Sequence, residues 1–239
     1  MNTKTGPLQH NENTQRRAFV KRGLMLTLSG IGGLGLVTGC KEKDEDKKVS
    51  PPEDLMQEHG LLKRILLIYD ACRIHLINKE SFPTNAITTS AGIIRSFVED
   101  YHEKHEEKYL FPRFKKANQL TDLVDVLYQQ HQAGRKVTDE IMQLSSRGTR
   151  SDNETQRLAD LLLSFNTMYN PHEAREDTVL FPAFRKLVSK HEYDSLGEDF
   201  EKDEHKLFGE DGFDMLVNKV ADVEKQLGIY NLAQFTPHV

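Results

Sequence analysis

Apolar positions recur three and four residues apart along most of this chain, and each run of that spacing predicts one helix. The first carries Leu55, His59, Leu62, Leu66, Tyr69 and Leu76 on a single stripe and stops before Ser81-Phe82-Pro83. The second starts after Thr84, with Ile87, Ala91, Ile94, Val98, His102 and Glu106 on its inner face. The third runs from Thr121 to Ser145-Ser146-Arg147-Gly148 and carries Val124, Leu127, His131 and Ile141. The fourth starts near Asp152 and carries Leu158, Leu161, Phe165, Tyr169, His172 and Glu176. Ser, Thr or Asp near the starts and Pro or Gly near the stops punctuate the runs as helix ends require. No alternating strand pattern appears. Short connections between long helices imply antiparallel neighbours, so the expected fold is all-α: an up-down-up-down four-helix bundle over residues 53–190. A charged, helical extension follows over 191–239, expected to cover one side of the bundle, with a lid or an extra metal-contacting arm as the alternative.

The first 52 residues read differently. A polar head leads through Arg16-Arg17-Ala18-Phe19-Val20-Lys21 into a Gly-rich apolar run from Leu24 to Val37. That run is too short for a membrane-spanning helix and reads as an export signal over residues 1–39. The paired arginines resemble a twin-arginine motif, and Leu36-Val37-Thr38-Gly39-Cys40 resembles a lipobox, with Cys40 as the lipidated residue. Residues 40–52, charged and then Ser50-Pro51-Pro52, read as a tether. The protein is therefore expected in the periplasm or cell envelope, held to a membrane by its lipid. With Cys40 acylated, Cys72 is left alone among apolar residues; it reads as a small core residue, and no thiolate metal site or intramolecular disulfide is available. The formal net charge of −5, with no strongly basic segment past the tether, gives nucleic-acid binding no electrostatic support.

The helical region repeats internally. His102-Glu103-Lys104-His105-Glu106-Glu107-Lys108-Tyr109-Leu110-Phe111-Pro112 aligns with His172-Glu173-Ala174-Arg175-Glu176-Asp177-Thr178-Val179-Leu180-Phe181-Pro182. A lone His lies upstream of each, His59 and His131, at nearly equal distances. Each half thus offers one His and then His-x-x-x-Glu. Residues four apart share a helix face, so His102 pairs with Glu106 and His172 with Glu176. Counting back to the turns at roughly 1.5 Å per residue places all four His in one layer. Four His and two Glu facing inward are costly to bury unless something satisfies them, and a metal does so. Imidazole and carboxylate without thiolate suit iron, manganese or zinc. If both Glu106 and Glu176 bridge two ions, each ion also takes two His nitrogens and keeps a position open for a ligand.

These residues resemble the hemerythrin-like cation-binding family, marked by a lone His, then His-x-x-His-Glu-Glu, a further His and a final His followed by an acid. The resemblance covers about residues 53–190 and implies a four-helix bundle around two non-haem iron ions, with manganese or zinc as lesser alternatives. The open position expected on each ion points to binding of, or reaction with, a small diatomic molecule or peroxide, such as oxygen, nitric oxide or hydrogen peroxide; an iron donor or store, or a gas sensor without turnover, is the alternative. Oxygen-carrying members hold a fifth His four residues after the third-helix His, where this chain has Arg135. The four-His, two-Glu set is similar to that of the bacterial iron-centre repair proteins of the same family. Of the remaining residues, His105 aligns with Arg175 and is expected on the surface, and His75 is expected in solvent. Tyr128 and Tyr169, each three residues before a ligand His, are expected either to line the pocket or simply to pack.

Overall fold

In a computed structural model of the chain, the described residues are 50–237, apart from Thr84, Glu210 and Asp211. The export signal, the Cys40 lipidation site and the tether up to residue 49 lie outside them. The described residues are helical, with no strand among them. Helix α1 spans Pro51–Asn78. Helix α2 is a continuous run over residues 85–117, α3 is Thr121–Ser145, and α4 runs over 152–187. The extension adds α5, Lys190–Phe208, α6, Gly212–Gln226, and a final 3-10 turn at Leu232–Phe235. No helix among the described residues is long and apolar enough to cross a membrane.

The starts follow local chemistry. The Ser50 N–H donates to the Glu53 carboxylate at 3.1 Å, and prolines occupy the first turn of α1, where a missing N–H costs nothing. Ser50, Pro51 and Pro52, assigned above to the tether, are thus the cap and first turn of α1. At α4, Ser151 and Glu154 form a reciprocal capping box, with bonds of 3.3 Å and 2.9 Å.

α1 packs against α2 and α4, and α3 against α2 and α4. Two apolar clusters fill the interior. One is built around Ile65, Tyr69, Phe97, Ile141 and Phe165, the other around Leu55, Phe114, Leu127 and Phe184. Along α1 the chain passes from the second cluster into the first; along α2 it returns, and α3 and α4 repeat the alternation. On every helix the site residues fall at the crossing between the clusters.

Helices α2 and α4 widen beside those residues. The N–H of Phe111 reaches the carbonyl of Glu106, five residues back, and Phe181 does the same with Glu176. These two π-helical turns end two residues before a proline, whose ring cannot donate to the carbonyl four residues earlier, so the α-helical ladder must open near this point. The repeated Leu-Phe-Pro has a second use. Phe181 stacks on His59 at 5.5 Å between ring centroids, and Phe111 stacks on His131 at 5.5 Å, each phenyl capping an imidazole of the other half.

The extension is fastened to the first half of the bundle. Arg64 on α1 holds Glu224 on α6 through two bonds, of 2.9 Å and 2.6 Å. Phe200 on α5 stacks on His105 at 4.3 Å, and Asp203 takes the His105 Nε2–H at 3.4 Å. His105 is therefore buried, contrary to the surface position expected from its alignment with Arg175. The repeat could not foresee a partner from outside the repeat. His75 is partly buried, stacked on Phe82 and bonded to Glu80 at 2.8 Å. Cys72 is fully buried, a free thiol in the apolar interior, and burial pushes its pKa up to about 12.

Candidate metal centre

His59, His102, Glu106, His131, His172 and Glu176 all converge at the middle of the bundle, and all are buried. Two groups of donors form there: His59, His102, Glu106 and Glu176, and Glu106, His131, His172 and Glu176. Within each group the ligand atoms lie within 4.8 Å of one another, and the two carboxylates belong to both. Glu176 lies 3.4 Å from His59 Nε2 through one oxygen and 3.2 Å from His172 Nε2 through the other. Glu106 Oε2 lies 3.4 Å from His131 Nε2 and 3.9 Å from His102 Nε2. The carboxylates thus sit between the two pairs of imidazoles, where a bridging ligand belongs.

Each imidazole turns Nε2 inward, and each Nδ1–H donates outward to an oxygen. His59 donates to Asp177 at 2.8 Å and His102 to Glu58 at 2.6 Å. His131 donates to Glu107 at 3.2 Å and His172 to the Gln130 amide oxygen at 2.9 Å. Such acceptors fix the tautomer that leaves the Nε2 lone pair free for a metal, and they hold the ring planes. All four acceptors are sequence neighbours of site residues, and sequence reasoning missed them. The signal was present: each lies one position from a predicted ligand. The pattern is also symmetric. Glu58 and Gln130 serve the second His of their own half, whereas Glu107 and Asp177 reach the lone His of the other half.

The electrostatics of the layer follow from burial and close charges. Burial, reinforced by Glu176, pushes the Glu106 carboxyl well above its usual range. Against its own burial, Glu176 is held well below that range by His172 and His59. Against burial, Asp177 and Glu176 raise His59 to about 10, while burial lowers His102 to about 3 and His131 to about 4. None of the four oxygens of Glu106 and Glu176, nor Nε2 of His131, has a hydrogen-bond partner. Buried carboxylates left in that condition are expensive, and a cation among them removes the cost. Nitrogen and oxygen donors without sulfur fit iron, manganese or zinc.

A wider ring of charge surrounds the layer. Arg135, four residues after His131, meets Glu103 at 2.6 Å and Glu107 at 2.8 Å. Lys63, four residues after His59, meets Glu173 at 3.0 Å. Tyr169 is buried and donates its hydroxyl to Glu103 at 2.5 Å, with its ring 5.4 Å from that of His172. Gly134 makes this possible, since a Cβ there would collide with the Tyr169 hydroxyl and ring. Tyr128, the other tyrosine considered above, is 47% exposed on α3 and does not line the pocket. Its place three residues before a site His gives the right helix face only approximately, and the packing of α3 leaves it outward.

The family model of the hemerythrin HHE cation-binding domain matches residues 50–184. The chain is also 48% identical over 195 residues to uncharacterized proteins of Mycobacterium bovis and Mycobacterium tuberculosis, covering 81% of this chain and 76% of each relative. No solved structure matches it.

Proposed function

The chain belongs to the hemerythrin HHE cation-binding family, and from that premise we propose that it holds two iron ions in a carboxylate-bridged pair and binds or transforms a small diatomic molecule or peroxide. His59 and His102 would hold one ion, His131 and His172 the other, with Glu106 and Glu176 spanning both. The observation that carries this reading is the sharing of two fully buried carboxylates between two pairs of inward-turned imidazoles. In this reading the four helices form an up-down-up-down antiparallel bundle, supported by the alternating order in which they cross the two apolar clusters.

Bound iron would supply redox and Lewis-acid chemistry. The chain's own residues do the rest. Glu58, Glu107, Gln130 and Asp177 hold the imidazole planes. Phe111 and Phe181 cover two of the rings, and the apolar clusters on either side exclude bulk water. A donor layer buried this way suits oxygen, nitric oxide or hydrogen peroxide better than a larger substrate. The N-terminal pattern supports export and lipid attachment through Cys40, and with them a working place in the cell envelope.

Elemental analysis of the purified chain tests the metal. About two irons per chain, the number two bridging carboxylates can serve, supports the proposal; two manganese ions would keep the pair and change its chemistry. One zinc or no metal would sink it. Rapid mixing of the reduced protein with oxygen, nitric oxide or peroxide then separates the functions. Consumption means turnover, whereas reversible binding without consumption points to a sensor or store.

A further inference from the structure

The inner donors of the two halves are the same, but the groups behind them differ. At His59 and His102 both Nδ1–H groups meet carboxylates, Asp177 at 2.8 Å and Glu58 at 2.6 Å. At His172 the acceptor is the neutral amide of Gln130. At His131 it is Glu107, whose charge is shared with Arg135 at 2.8 Å and Lys104 at 2.7 Å. The difference is written into the repeat, because Glu58 and Gln130 occupy equivalent positions, each directly before the lone His of its half.

A carboxylate acceptor draws the Nδ1 proton outward and makes the imidazole a stronger donor, whereas an amide does so less. The carboxylate also adds a negative charge behind the ring, and in a buried layer that charge is felt at the metal. Both effects favour the more highly charged ion on the side of His59 and His102. On the side of His131 and His172, one of the two acceptors is the uncharged amide of Gln130.

We infer that Glu58, together with Asp177, makes the two metal positions unequal, so that the ferric ion of a one-electron-reduced pair resides with His59 and His102. This inference rests on the di-iron reading above. In the iron-loaded chain, the first electron from an external one-electron reductant would go to the position held by His131 and His172, and the second, at a lower potential, to the position held by His59 and His102. No covalent bond within the protein forms or breaks in either step.

The experiment is a stepwise reductive titration of the iron-loaded full chain, with the ferrous–ferric state quantified by electron paramagnetic resonance and iron counted in every sample. The wild type is expected to accumulate that state. Glu58→Gln should raise the lower of the two potentials and reduce the formation constant of the ferrous–ferric state about tenfold. Gln130→Glu should reduce the same constant by lowering the upper potential instead. Two irons per chain with both potentials unmoved, or moved equally in both variants, would overturn this inference and leave the di-iron reading standing. A wild type without two irons removes the di-iron reading and this inference together. Should Glu58→Gln fail to load iron, Gln130→Glu decides the question alone, since it retains every ligand and the Glu58 acceptor.

Discussion

The α1–α2 half and the α3–α4 half of the bundle carry the same donors and treat them differently. Each supplies a lone His, a His four residues before a Glu, and a Leu-Phe-Pro whose Phe caps the other half's lone His. Around α3 and α4 the layer is tightly closed. Arg135, 15% exposed, ties Glu103 to Glu107, and the Tyr169 hydroxyl fills the space that Gly134 leaves. Around α1 and α4 the corresponding cation, Lys63, is 45% exposed, and an added Cβ at Gly60 would meet open space. Asp177, the acceptor for His59, is 37% exposed, against 13% for Glu107, the acceptor for His131. The comparison teaches where identity is required. Six donors must share one layer, so they repeat; behind them any well-placed acceptor oxygen holds a ring, so Glu, Gln and Asp all serve.

The widest test of the shared layer is Glu106→Ala beside Glu176→Ala. On the di-iron reading, each should bring bound iron from about two per chain to below one, because each carboxylate belongs to both donor groups. Elemental analysis checks this, and a variant that retained both metals would break the equivalence of the halves. His105→Ala probes a contact that only the first half has. It should leave metal content unchanged and cost about 3 kcal/mol in urea unfolding, through the cavity left against Phe200. Loss of metal there would make His105 part of the site. Gly134→Ala and Gly60→Ala sharpen the contrast in closure. The first should destabilise by about 2 kcal/mol as Tyr169 is displaced. Tyr169→Phe should cost about 1 kcal/mol, the value of one hydrogen bond to a carboxylate that keeps Arg135. Gly60→Ala should stabilise by about 0.5 kcal/mol, since it removes helix-interior glycine freedom without a clash. Equal responses at the two glycines would show that the halves are closed alike.

Much of this was legible in the sequence because helices are local. Three-four spacing located α1 to α4, with starts at Asn85, Thr121 and Asp152 where the caps and turns suggested them. The internal repeat singled out the six residues that converge, because residues four apart on a helix must share a face whatever surrounds it. His105 was misjudged for the opposite reason. It is buried by Phe200 and Asp203, nearly a hundred residues away along the chain. Tyr128 and Tyr169 look alike as sequence, each three residues before a His, yet one is exposed and the other buried against Gly134.

What the sequence determined by itself was the helical periodicity, the internal repeat and which His and Glu share a helix face, because a face is fixed by residues within one or two turns of each other and the repeat is written in the order of the residues alone. The pairing of Nδ1 acceptors with rings was decided only in three dimensions. Residues adjacent in sequence point about 100° apart on a helix, so Glu58, Glu107, Gln130 and Asp177 cannot serve the His or Glu beside them. Each instead meets an imidazole from another helix, and which helix lies there is set by packing. The same packing places a carboxylate behind His102 and an amide behind His172, and so separates two halves that the repeat alone makes equal.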